Sequence, residues 1–203
     1  MATYWKQWLA LSAVSVLMTA CQSIDTFKLK HAKEDAESKS NALIYCAGTP
    51  DCQFERLDRT MIVDESTKRI SPEALDQHLV RLQAKNLKQD NPIYLSVPEG
   101  QHELVVRFYP ISKDKAETLH LFQQFKANKR YTLKMFRDRN ARSTSLLNAS
   151  APDPLCVDLL QEQKVIRRFC KPYNVINGIA EFVEKKFNLV RWMPDLINGK
   201  AHV

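Results

Sequence analysis

The sequence predicts an α+β fold, a small antiparallel β-sandwich or sheet with two flanking amphipathic helices, and three patterns carry that prediction. Several short segments between residues 93 and 136 alternate apolar and polar side chains, the period of a half-buried strand. Two stretches, one entered at Ser71-Pro72 and one starting near Val175, repeat apolar residues at helical spacing. Cys46, Cys52, Cys156 and Cys170 fall into two local pairs, as disulfides in an exported domain do. With 44% hydrophobic residues over a length of 203, the chain can bury the core of one domain of ordinary size.

The first element is a leader over residues 1–20. Lys6 supplies one positive charge, Leu9 to Met18 form an apolar run, and Thr19-Ala20 precede Cys21, the order of a secretory signal. The run is about half the roughly 20 residues that a spanning helix needs, so it is built for removal rather than for anchoring. Met18-Thr19-Ala20-Cys21 resemble the lipobox of bacterial lipoproteins, with Met18 where that family most often has Leu. The resemblance implies that Cys21 receives diacylglycerol, that the leader is cut just before it, and that the new amine is acylated, typically with palmitate. Two or three such chains hold a protein on a membrane permanently. Gln22, where Asp would signal retention in the inner membrane, implies by the same resemblance the outer membrane, with the domain on its periplasmic face.

Residues 21–40 then read as the lipidated N-terminus and a polar tether, rich in Lys, Asp and Glu, and residues 41–203 as the single globular domain. Short strands are expected at Ala42 to Tyr45 and Phe54 to Val63, around a turn-forming stretch that a Cys46–Cys52 bridge would close. Ser71-Pro72 opens the first helix, with Leu75, Leu79, Leu82 and Leu87 on its buried face. Ile93 to Val97 and His102 to Tyr109 alternate on either side of Pro98-Glu99-Gly100 and read as a β-hairpin. Leu119 to Lys126 and Tyr131 to Phe136 read as a second hairpin across Ala127-Asn128-Lys129-Arg130.

Arg137 to Pro154 has a loop's composition. Leu155 to Leu160 and Val165 to Cys170 form a third hairpin centred on Gln163, which sets Cys156 opposite Cys170. Val175, Ile176, Ile179, Phe182, Val183 and Phe187 then form the apolar face of the second helix. The stretch Val97 to Val106 is also similar to the strand–turn–strand signature of PEGA-type envelope β-sandwich domains, a likeness that implies a small sandwich and no activity.

Chemistry is sparser. The four glycines are not spaced for a phosphate loop or a nucleophile elbow, and His31, His78, His102, His120 and His202 show no metal-binding spacing. The sequence therefore calls for no catalytic residue, no cofactor and no metal. Positive charge is what clusters: Lys126, Lys129, Arg130, Lys134, Arg137, Arg139 and Arg142, then Lys164, Arg167, Arg168 and Lys171. The chain carries +7, and +6 once Lys6 leaves with the leader. A shared sheet would gather these cations into an anion-binding patch for an envelope protein, peptidoglycan or an anionic glycolipid. Nucleic acid suits the charge but not the compartment. The expected function is a non-enzymatic binding or scaffold domain held to the membrane by its lipid. The rival is an enzyme modifying a cell-wall polymer or glycolipid, its site assembled only by the fold.

Overall fold

The computed structural model describes residues 27, 29, 40–64, 66–83, 87, 89–112, 114–139, 152–171 and 181–186. The leader, Cys21 and nearly all of the tether lie outside them. Among the described residues the chain is built of strands: β1 Ala42–Ala47, β2 Cys52–Leu57, β3 Thr60–Met61, β4 Val80–Leu82, β5 Ile93–Val97, β6 Gly100–Ser112, β7 Lys115–Phe125, β8 Arg130–Arg137, β9 Leu155–Gln161, β10 Lys164–Lys171 and β11 Val183–Lys185. One short helix, α1 Pro72–Asp76, interrupts them. The strands form a seven-stranded sheet in the order β11-β10-β9-β8-β1-β5-β4 and a four-stranded sheet in the order β3-β2-β6-β7. Both contribute to one hydrophobic core, where Ile44, Leu95, Leu133 and Leu159 from the larger sheet meet Phe54, Leu104, Phe108 and Leu121 from the smaller. The fold is a β-sandwich.

This corrects the expected pair of flanking helices. Ser71 does cap a helix, its Oγ accepting from the Ala74 amide at 3.1 Å, with Pro72 in the first turn. The helix ends after five residues, and His78 takes a positive φ of 55°. Beyond it the leucine spacing assigned to a helix face is satisfied differently. Val80 pairs with Leu95 and Leu82 with Ile93 across β4 and β5, so strand alternation turns the apolar side chains inward. Leu75 and Leu87 still pack against the core. In the second helix, Val183 instead begins β11, where it pairs with Cys170. Val175, Ile176, Ile179 and Phe187 lie outside the described residues.

Two of the three expected hairpins are also corrected. β5 and β6 do not pair with each other; β5 lies between β1 and β4, while β6 lies between β2 and β7 in the opposite sheet. Likewise β7 pairs with β6, and β8 pairs with β9 and, in parallel, with β1. Pro98-Glu99 and Ala127–Lys129 are thus corners that carry the chain from one sheet to the other. Each corner is pinned by hydrogen bonds: the His102 ring lies 3.1 Å from the Pro98 carbonyl, and the Lys126 amide donates to the Tyr131 hydroxyl at 3.0 Å. Alternation marks which side chains face the core, but either sheet offers the same core.

The third hairpin forms. Glu162 and Gln163 both adopt positive φ, 48° and 73°, as a two-residue turn between twisted strands requires. The turn alone would leave Cys156 and Cys170 one residue out of step. A bulge between Val165 and Arg167 restores the match, and Cys156 pairs with Cys170. The two are disulfide-bonded, as are Cys46 and Cys52. The second bridge links the end of β1 in one sheet to the start of β2 in the other. Its loop passes so close to β8 that a Cβ on Gly48, at φ 90°, would lie 2.0 Å from the Met135 carbonyl oxygen. Leu29, from the stretch read as a tether, is buried in the core.

Candidate functional site

The cations of the charge cluster are distributed over different surfaces. Arg167 shares the face of the core residue Phe169 and lies over its ring, 4.8 Å from the centroid. It grips Glu184 with two nitrogens at 2.8 and 2.7 Å and donates to the Phe122 carbonyl of β7 at 2.6 Å. Lys171, on the same face, reaches Glu117 of β7 at 2.5 Å. These two cations tie the larger sheet to the long edge strand of the smaller one, and a capped edge carbonyl resists pairing with another chain. Arg168 points the other way, holds Asp158 at 2.6 and 2.8 Å, and covers the Phe136 ring. Arg137 donates to the Asp153 carbonyl at 3.1 Å. Lys126, Lys129, Lys134, Arg139 and Lys164 are exposed, and Arg142 lies outside the described residues.

Arg130 stands apart. Its guanidinium lies 4.0 Å from the centroid of Tyr45, which stacks on Tyr94 at 4.8 Å with the rings 17° from parallel. Ile44 pairs with Leu95, which places Tyr45 level with Tyr94, and Tyr94 pairs in turn with Arg81 of β4. Alternation sends Ile44, Leu95 and Val80 to the core, so Tyr45, Tyr94 and Arg81 share the outer face of the seven-stranded sheet. Arg81 itself is 5% exposed. In the sequence Arg81 falls away from the leucine face of the expected first helix, so nothing there marks it out.

The outer face of the four-stranded sheet carries a different arrangement. Arg107, buried, donates to Glu55 at 2.7 Å. That hydrogen bond holds the Glu55 carboxyl below its ordinary value, against a smaller opposing push from burial. Arg56 clasps Glu103 at 2.6 and 3.0 Å and lowers its pKa in the same way. Asp58 lies 2.7 Å from His102 and accepts from the Glu103 amide at 2.9 Å. Burial pushes Asp58 upward, and those hydrogen bonds outweigh it and leave the carboxyl lowered. With both ring nitrogens engaged, to Asp58 and to Pro98, His102 fastens a corner of the sandwich and presents no nitrogen to a substrate.

A cleft of about 510 Å³ opens between Asp51–Gln53, Lys68–Ile70 and Asp90–Ile93. Lys68 at its wall is committed to the Tyr109 hydroxyl at 2.9 Å. Asp138 lies close to Cys156 and Cys170 in a grouping with metal-ligand spacing, but the disulfide ties up both sulfurs. No protein-family model matches the chain, and no match to it is found among curated proteins or solved structures.

Proposed function

We propose that the protein is an exported, lipid-anchored β-sandwich that binds or scaffolds another component of the bacterial outer envelope from the periplasmic side. The lipobox-like Met18-Thr19-Ala20-Cys21 supports the anchor. The two disulfides support export, because such bridges persist in oxidising compartments.

The observation that carries the binding role is the column of Arg130, Tyr45 and Tyr94 on the outer face of the larger sheet. Stacking pre-orders three large side chains that the core does not use. Ordered tyrosines and arginines give up little further entropy on contact, which is why they dominate binding hot spots.

Two measurements in cells test this reading. Labelled fatty acid should enter the wild-type protein and not the Cys21→Ala variant; label retained by that variant refutes the anchor. A photo-crosslinking amino acid at Thr132, the neighbour of Tyr45 in β8, should yield a discrete envelope adduct that Arg130→Ala abolishes. An adduct indifferent to Arg130, or none, refutes the binding face.

A further inference from the structure

Buried arginines in this protein come with carboxylates. Arg107 has Glu55, and the half-buried Arg168 and Arg167 have Asp158 and Glu184. Arg81 breaks the pattern. It is 5% exposed, yet Nε, Nη1 and Nη2 all lack a hydrogen-bond partner among the described residues. A guanidinium cannot shed its proton to escape burial, so an uncompensated one in a folded domain is among the costliest features a chain can carry. None of its five N–H donors is spent on an acceptor among the described residues.

We propose that Arg81 is the anchor of a carboxylate-binding site on the outer face of the seven-stranded sheet, with Tyr94, Tyr45 and Arg130 forming the surface beside it. The placement follows from register. Arg81 pairs with Tyr94, Tyr94 stacks on Tyr45, and Arg130 covers the far side of Tyr45.

Charge and shape select the ligand class. One guanidinium neutralises one negative charge, and its planar fork matches a carboxylate through two parallel hydrogen bonds. A phosphate monoester brings nearly two charges and needs a second cation at the same spot. Arg130, the cation at the other end of the column, is separated from Arg81 by both tyrosines. The ligand is therefore a monoanionic carboxylate whose remaining body extends along the aromatic column. This rests on the reading of the domain as a binding module, and it names the chemistry bound.

The test uses the full-length protein in detergent and follows thermal unfolding during titration with acetate, with chloride and inorganic phosphate at matched ionic strength as controls. A ligand that binds only the folded state raises the melting temperature saturably. The wild type should respond to acetate beyond the chloride response, Arg81→Lys should respond more weakly, and Arg81→Met should lose the acetate-specific rise. In anion-poor buffer Arg81→Met should also melt above the wild type, because it removes an unpaired buried charge.

Equal responses to acetate and chloride in the wild type overturn the proposal, as does a stronger response to phosphate. A fall in melting temperature for Arg81→Met in anion-poor buffer overturns it too, since that result means a carboxylate of this chain already fills the site. If Arg81→Met does not fold, the wild-type and Arg81→Lys titrations decide alone. The titration needs neither the anchor nor an envelope partner, so its failure is separable from failure of the cell-based tests.

Discussion

The two outer faces of the sandwich are stabilised by different chemistry. On the four-stranded sheet, charge meets charge: Arg107 with Glu55, Arg56 with Glu103, and Asp58 with His102. On the seven-stranded sheet, a disulfide joins Cys156 to Cys170, Arg130 rests on stacked tyrosines, and Arg81 has no carboxylate among the described residues. The first face pairs its arginines with carboxylates and spends those charges on holding β2 and β6 together. The second keeps Arg81 without a hydrogen-bond partner among the described residues, beside the stacked tyrosines. The contrast also predicts two separate vulnerabilities, reductant for one face and acid for the other.

The largest effect should come from the covalent side. Replacing Cys156 and Cys170 by Ser removes a bridge spanning 14 residues, worth about 3 kcal/mol in the chain-entropy account of loop closure. Urea unfolding should show that loss equally at pH 7 and pH 4, because no proton is involved. A loss that varies strongly with pH would mean that the two faces are not independent.

Glu55→Ala should come next, at about 2 kcal/mol near pH 7. Removing Glu55 takes a charged partner from the buried Arg107, and the 31% exposure of Glu55 moderates the cost. Here pH matters. The folded pKa of Glu55 lies below its ordinary 4.5, so its contribution is complete above that value and disappears as pH falls through the folded one. The variant should therefore lose less stability than the wild type between pH 6 and pH 3. In anion-poor buffer Glu55→Ala should lower stability and Arg81→Met raise it; opposite signs from two buried-arginine sites are what separate the faces.

Much of this was legible in the chain. Alternation locates β5, β6, β7 and β8 to within a few residues, loop chemistry pairs Cys46 with Cys52, and hairpin symmetry pairs Cys156 with Cys170. What escaped was partnership. Pairing of β1 with β8 joins Leu43 to Arg130, far apart in sequence, and no local pattern records it. The corner at Pro98-Glu99 looks like a hairpin turn because a short polar connection serves either purpose. The helix after Ser71 is shorter than the sequence suggests because leucines three to five residues apart fit a helix face, whereas β4 pairs with β5 and turns Val80 and Leu82 toward the core. For the candidate site, Arg130 was visible only as one member of a charge run. Arg81, Tyr45 and Tyr94 carried no signal, since their significance lies in cross-strand register.

The smallest effect probes the margin of the ion-paired face. Asp64 lies in the loop after β3, where its Oδ1 accepts from the Ser66 hydroxyl at 2.6 Å and from the Thr67 amide and hydroxyl at 2.7 and 2.9 Å. Those hydrogen bonds bring its carboxyl down from 3.8 to about 2. The stabilisation is thus full above pH 3.8 and is lost as pH falls toward 2. Asp64→Asn should melt slightly below the wild type at pH 6, and the gap should close as the pH approaches 2. The closure must follow acid rather than salt, because the acceptors and donors are in direct contact and the group needs no distant cation. A gap that persists unchanged at pH 2 would assign the effect to the turn's amide geometry and remove Asp64 from the acid-sensitive set, leaving Glu55 and its neighbours to account for the acid limb alone.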